Sequence, residues 1–141
     1  MPEGVVIADT GWLVAYLLEE EPRHGWAVGQ FEALPAPYLT CEAVLTETGF
    51  LVSRLPNGMA RFLDLLESGA LAVPFHLLPE RAAVGALARK YADLPMSLAD
   101  ACLVRMAELH DGAAVCTLDH HFRIYRKNGR QKIPVIMPPD A

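Results

Sequence analysis

The hydrophobic positions of this chain alternate between short unbroken runs and longer stretches in which apolar residues recur every three or four places. Val5-Val6-Ile7-Ala8 is a short, β-branched run of the kind found in a strand covered on both faces. Trp12 to Leu18 reads as a helix that stops at Glu19-Glu20-Glu21-Pro22, and 23 to about 34 as a second one anchored by Trp26 and Phe31. Pro35 and Pro37 interrupt the pattern, Tyr38-Leu39 suits a very short strand, and Thr40 is a candidate N-cap for a helix reaching about Arg54. Pro56 is placed to open the next helix, which runs to about Glu67 and stops at Gly69. Ala70 to Phe75 is strand-like but shortened by Pro74, and Pro79 to Tyr91 is an Ala-rich helix. Ser97 to His110 is the clearest helix, with Leu98, Cys102, Leu103, Met106 and Leu109 at helical spacing and Gly112 beyond its end. Ala113 to Leu118 and Ile133 to Met137 complete the set as strands. Strands alternating with helices predict a three-layer α/β/α domain around a mainly parallel sheet.

Composition fits that reading. A length of 141 residues suits one domain over 1–141, and a 52% hydrophobic fraction is ample for its core. Cys41, Cys102 and Cys116 are odd in number, widely spaced and set in apolar stretches, so they are expected as plain core residues without a disulfide or zinc site. No basic segment precedes Glu3, and no apolar run approaches the roughly 18 residues of a membrane span. The expectation is a soluble, cytoplasmic protein with no membrane partner.

Charge changes the picture in one place. The formal net charge is −5, yet five of the twelve Lys and Arg residues lie between Arg123 and Lys132, with no acid from His120 to Lys132. Such a run on an acidic body is either a solvated turn or a local anion site. Phe122 and Tyr125 within it are spaced to offer a ring to an unpaired base, although packing against the sheet suits Phe122 better.

The candidate chemistry sits at the strand ends, where open parallel sheets bind their ligands. Asp9 directly follows the first strand, and Asp119 follows Ala113 to Leu118. Each alone could be a turn former or N-cap; together on neighbouring strands they would place like charges side by side, which a cation relieves. Glu47 falls at the edge of the apolar face made by Val44, Thr48, Leu51, Val52 and Leu55, where it either serves a site or turns outward to solvent or Arg54. Glu42 is explained by the helix dipole alone. Asp100 stands three positions after Ser97 as in a capping box, and the same placement points a carboxylate from a helix start towards the strand ends. Four acids from four segments suit a hard cation such as Mg²⁺ or Mn²⁺, beside which Arg123, Arg126 and Lys127 could hold the flanking phosphates of a nucleic-acid strand.

These segments resemble PIN domains. Val5 to Gly11 is similar to their opening strand, and Ala43-Val44-Leu45-Thr46-Glu47-Thr48 to the helix with the second acid. Leu98-Ala99-Asp100-Ala101 resembles the third motif, and Val115 to Phe122 the fourth. The length is similar to that of VapC-type toxins. The resemblance implies a Mg²⁺- or Mn²⁺-dependent endoribonuclease with metal ligands Asp9, Glu47, Asp100 and Asp119, and hydroxyls of Thr10 and Thr117 supporting them. It further implies a homodimer silenced by a small antitoxin protein whose tail enters the site. Many relatives carry an Asp where this chain has Ser97. Some of Trp12, Trp26 and Phe31 are expected to form the surface patch that these contacts need.

Other classes fit less well. A phosphoacceptor receiver domain would show paired acids after the first strand, and a haloacid-dehalogenase-like phosphatase Asp-x-Asp, where this chain has Asp9-Thr10-Gly11. A dinucleotide-binding protein would carry a Gly-x-Gly-x-x-Gly loop. The alternatives that remain are a stand-alone RNA-processing nuclease and a non-catalytic protein-binding module on the same fold.

Overall fold

In the computed structural model, which describes residues 4–139, the first strand β1 (Val6–Ala8) is wholly buried, as its unbroken apolar run requires. The chain continues through α1 (Thr10–Leu17), α2 (His24–Ala33), β2 (Tyr38–Leu39), α3 (Glu42–Val52), α4 (Gly58–Glu67) and β3 (Leu71–Ala72). A short 3-10 turn at Leu78–Glu80 leads into α5 (Arg81–Lys90), then α6 (Leu98–Leu109) and β4 (Ala114–Cys116). After a second 3-10 turn at His120–Arg123 come the hairpin β5 (Arg126–Lys127) and β6 (Gln131–Lys132) and the last strand β7 (Val135–Ile136).

The five strands β3-β2-β1-β4-β7 form one parallel sheet in that order, and helices cover it to give the three-layer α/β/α arrangement. The chain builds outward from β1 through β2 to β3, then returns to lay β4 on the other side of β1. Connections from β1 and β4 therefore leave in opposite directions, opening a crevice at their carboxyl ends. The register Ala8↔Cys116 puts Asp9 at its mouth, with its N–H donating to the Cys116 carbonyl at 3.1 Å. Helix α6 packs on β1 and β4, α5 packs on α6, and α1 contacts α2, α3 and α4. No described helix is long and apolar enough to cross a membrane.

Several local expectations shift. Thr40 does not cap α3: its hydroxyl donates to the Ala8 carbonyl at 2.9 Å, tying the end of β2 to β1, and Cys41 takes the N-cap position. Pro56 lies before α4, which begins at Gly58. A Cβ on Gly58 would sit 1.9 Å from the Val52 carbonyl oxygen, so the tight α3–α4 turn demands glycine. The strand predicted from Ala70 to Phe75 shortens to Leu71–Ala72. Trp12 is fully buried rather than part of a surface patch, its indole N–H donating to the Ala27 carbonyl at 3.1 Å. Phe31 packs on it with ring centroids 4.5 Å apart and stacks on Tyr16 at 3.7 Å, so Phe31 and Trp26 are half-buried against the core. All three cysteines are buried and free.

Candidate functional site

Asp9 ends β1 and caps α1, and it is only 6% exposed. Its Oδ1 accepts the Thr10 N–H at 2.7 Å and its Oδ2 the Thr117 hydroxyl at 2.6 Å. Those two donors favour the ionised form, but burial outweighs them, and the charges of Asp100 and Asp119 push the same way; the carboxyl is raised to about 7. Asp9 is thus a buried acid held in the fields of two others.

Two threonines join the acids. Thr10 gives its backbone N–H to Asp9 and its hydroxyl to Glu47 Oε1 at 2.7 Å, so α3 is fastened to the start of α1 at the site. Thr117, fully buried after β4, donates to Asp9 and accepts the Asp119 N–H at 2.9 Å. Asp119 Oδ1 in turn accepts the His121 N–H at 2.9 Å and lies 3.6 Å from His121 Nδ1.

Asp100 plays both roles that its sequence position allows. Ser97 and Asp100 form a complete capping box: the Ser97 hydroxyl accepts the Asp100 N–H at 3.0 Å, and Asp100 Oδ2 accepts the Ser97 N–H at 3.1 Å. The same carboxylate is raised above the usual range by burial, with the Asp119 charge adding to the rise. Helix α6 therefore delivers it to the crevice, and the cap and the site share one side chain.

The hydrogen bonds among the described residues leave a pattern of open oxygens. Asp100 uses only Oδ2, Asp119 only Oδ1 and Glu47 only Oε1, so one oxygen of each has no internal donor. Thr10 links Asp9 to Glu47, Thr117 links Asp9 to the Asp119 backbone, and Asp9, Asp100 and Asp119 lie in one another's fields, but this is not a preassembled cage: no group of three His, Cys, Asp or Glu side chains is already arranged to hold an ion among the described residues. Oxygen-only donors of this kind suit a hard divalent cation.

The basic segment is corrected in part. Arg123 is exposed, but Arg126 commits one guanidinium nitrogen to the carbonyls of Arg123, Ile124 and Tyr125 at 2.9 to 3.1 Å. Lys127 is only 6% exposed, on a strand that packs against α6, so it is buried and not free to meet a phosphate. The run is not a plain turn either. Asn128 and Gly129, both with positive φ, close the β5–β6 hairpin, and this Asn-Gly pair is the sequence signal for it. Phe122 and Tyr125 are fully buried, which removes both as base-stacking rings. Tyr125 instead turns its hydroxyl to Asp100 Oδ2 at 3.3 Å, a contact without any local signal in the sequence.

No curated protein sequence matches the chain significantly. Among solved structures it is similar to the crystal structure of Mycobacterium tuberculosis VapC20, a Sarcin-Ricin loop cleaving toxin, with a TM-score of 0.67 at 18% identity over 78% of this chain and 86% of that one. Likeness at that identity is likeness of fold. The family model of the PIN domain matches residues 6–128, a span that holds β1 to β4, both threonines and all four acids, and the chain belongs to the PIN domain family.

Proposed function

We propose that this protein is an endoribonuclease that holds Mg²⁺ or Mn²⁺ on Asp9, Glu47, Asp100 and Asp119. The observation that carries the reading is Asp9 itself: a buried carboxyl at the ends of two adjacent parallel strands, raised to about 7 by burial and by Asp100 and Asp119. Acids kept together at a cost to the fold are what a divalent cation relieves. The oxygens of Glu47, Asp100 and Asp119 without internal donors are the ones available to it. When bound, the ion supplies an activated water and charge neutralisation at the scissile phosphate. Thr10 and Thr117 fix the rotamers of Asp9 and Glu47, the capping box fixes Asp100, and the His121 N–H fixes Asp119. Arg123, exposed just beyond Asp119, meets a flanking phosphate of the RNA strand.

VapC20 is a toxin, and the reading extends to this chain as the cytoplasmic toxin of a toxin–antitoxin pair, working as a homodimer under a small antitoxin. The deciding experiment combines metal and cleavage. Mn²⁺ at about 100 times its Kd is expected to stabilise the wild type by about 2.7 kcal/mol, and Asp9→Asn with Asp100→Asn to abolish both that gain and RNA cleavage. A melting curve indifferent to Mn²⁺, with cleavage surviving in the double variant, refutes the proposal.

A further inference from the structure

The geometry points to Tyr125 as a positioning residue that aims the Asp100 carboxylate at the metal, an inference that rests on the metal-dependent reading above. Tyr125 lies in a run of basic residues, yet it is fully buried. Its ring meets Tyr91 and Phe122 edge-on at 5.1 Å each, and its N–H donates to the His121 carbonyl at 2.9 Å. A phenol buried in this way needs a hydrogen-bond partner. That partner is Asp100 Oδ2 at 3.3 Å.

The choice of oxygen is what gives the contact a role. Oδ2 already accepts the Ser97 N–H at 3.1 Å, so the phenol is its second donor, while Oδ1 has none among the described residues. Turning the carboxylate plane away from this orientation would break the capping-box bond and strand a buried hydroxyl together. Tyr125 and Ser97 therefore lock one oxygen on the protein side and leave the other for the ion. The neighbouring Tyr91 provides the contrast: its hydroxyl accepts the Arg126 N–H at 3.0 Å and has no hydrogen bond to an acid among the described residues.

The test measures Mn²⁺ affinity of the full chain by calorimetry, alongside cleavage over a range of Mn²⁺ concentrations. Tyr125→Phe keeps the ring and removes only the hydroxyl; it is expected to weaken Mn²⁺ binding about tenfold. Tyr91→Phe removes a hydroxyl from the same ring cluster and is expected to leave the affinity within about twofold of the wild type. Saturating Mn²⁺ restores the cleavage rate of Tyr125→Phe, which a merely structural role would not produce. Unchanged affinity in Tyr125→Phe, an equal loss in Tyr91→Phe, or a rate that stays low at saturating Mn²⁺ overturns the assignment while leaving the nuclease reading intact. A wild type that binds neither Mn²⁺ nor Mg²⁺ overturns both.

Discussion

Asp9 makes the metal-free fold sensitive to pH. Its carboxyl stands at about 7 in the folded chain against 3.8 as an ordinary side chain, because burial and the Asp100 and Asp119 charges disfavour ionisation. The unfolded chain therefore releases this proton first, and between about pH 4 and 7 the folded state binds the extra proton. Stability from this group falls as pH rises through that window and levels off above it. The full difference corresponds to about 4 kcal/mol by the free energy of a pKa shift. Asp9→Asn removes the charge and keeps an acceptor for the Thr10 N–H. In urea unfolding without metal, the variant is expected to be more stable than the wild type at pH 8, with the advantage shrinking towards pH 4. A difference that does not vary with pH contradicts this account. Arg123 is the other residue that can be tested alone: Arg123→Gln should flatten the logarithmic salt dependence of single-stranded RNA binding by about 0.7, and an unaltered slope removes it from the RNA path.

At the scale of elements, the site depends on how helices begin and turn. Helix α6 starts with a capping box whose acidic member is also a site acid, so its start is fixed by the same bonds that present Asp100. Helices α3 and α4 meet in a turn so close that Gly58 has no room for a side chain, with Val52 backbone in the way. Gly58→Ala must shift one helix against the other, at a cost of about 3 kcal/mol or more, and helix α3 carries Glu47. Chemical denaturation is expected to show that loss, with weaker Mn²⁺ binding beside it; a variant as stable as the wild type would mean that the turn can yield. These elements were legible from the sequence to different degrees. Ser97 to His110 shows its cap, its period and its stop within one window. Strand β3 does not: the run from Ala70 to Phe75 pairs with β2 only over Leu71 and Ala72, and which residues pair is decided by the neighbouring strand.

At the scale of the molecule, the sheet order brings Asp9 and Asp119 together while α3 and α6 supply the other acids. Between α1, α2 and α4 lies a cleft of about 510 Å³ lined in part by Tyr16, His24, Phe31, Arg61 and Asp64. If the proposed toxin reading holds, an antitoxin seated there would cover the half-buried Phe31, although Trp12 beneath it is core and available to no partner. An inhibiting tail carrying Arg or Lys would then reach the four acids with the charge of the ion it replaces. Sedimentation equilibrium at micromolar concentration is expected to give a dimer mass, and purification from the native host a bound small protein. A monomer at all concentrations removes the homodimer. Active nuclease recovered with no small protein favours a stand-alone RNA-processing enzyme.

The sequence by itself determined what can be read within a few residues: the buried runs of β1 and β4, the periodic α6 with its cap, and the acids that follow strands or begin helices. Those features rest on backbone geometry and local burial, which repeat every two or about 3.6 residues whatever surrounds them. Only the tertiary structure decided which partner each side chain meets. Thr40 looks like a helix cap and bonds to β1; Lys127 looks like a phosphate contact and lies against α6; Tyr125 looks like a surface ring and holds Asp100. The Thr117 hydroxyl and the Asp9 carboxylate are 108 positions apart and share a 2.6 Å hydrogen bond, because β1 and β4 are neighbours in the sheet. That adjacency is set by how the whole sheet and its helices bury their apolar surface together, and no window of local pattern contains it.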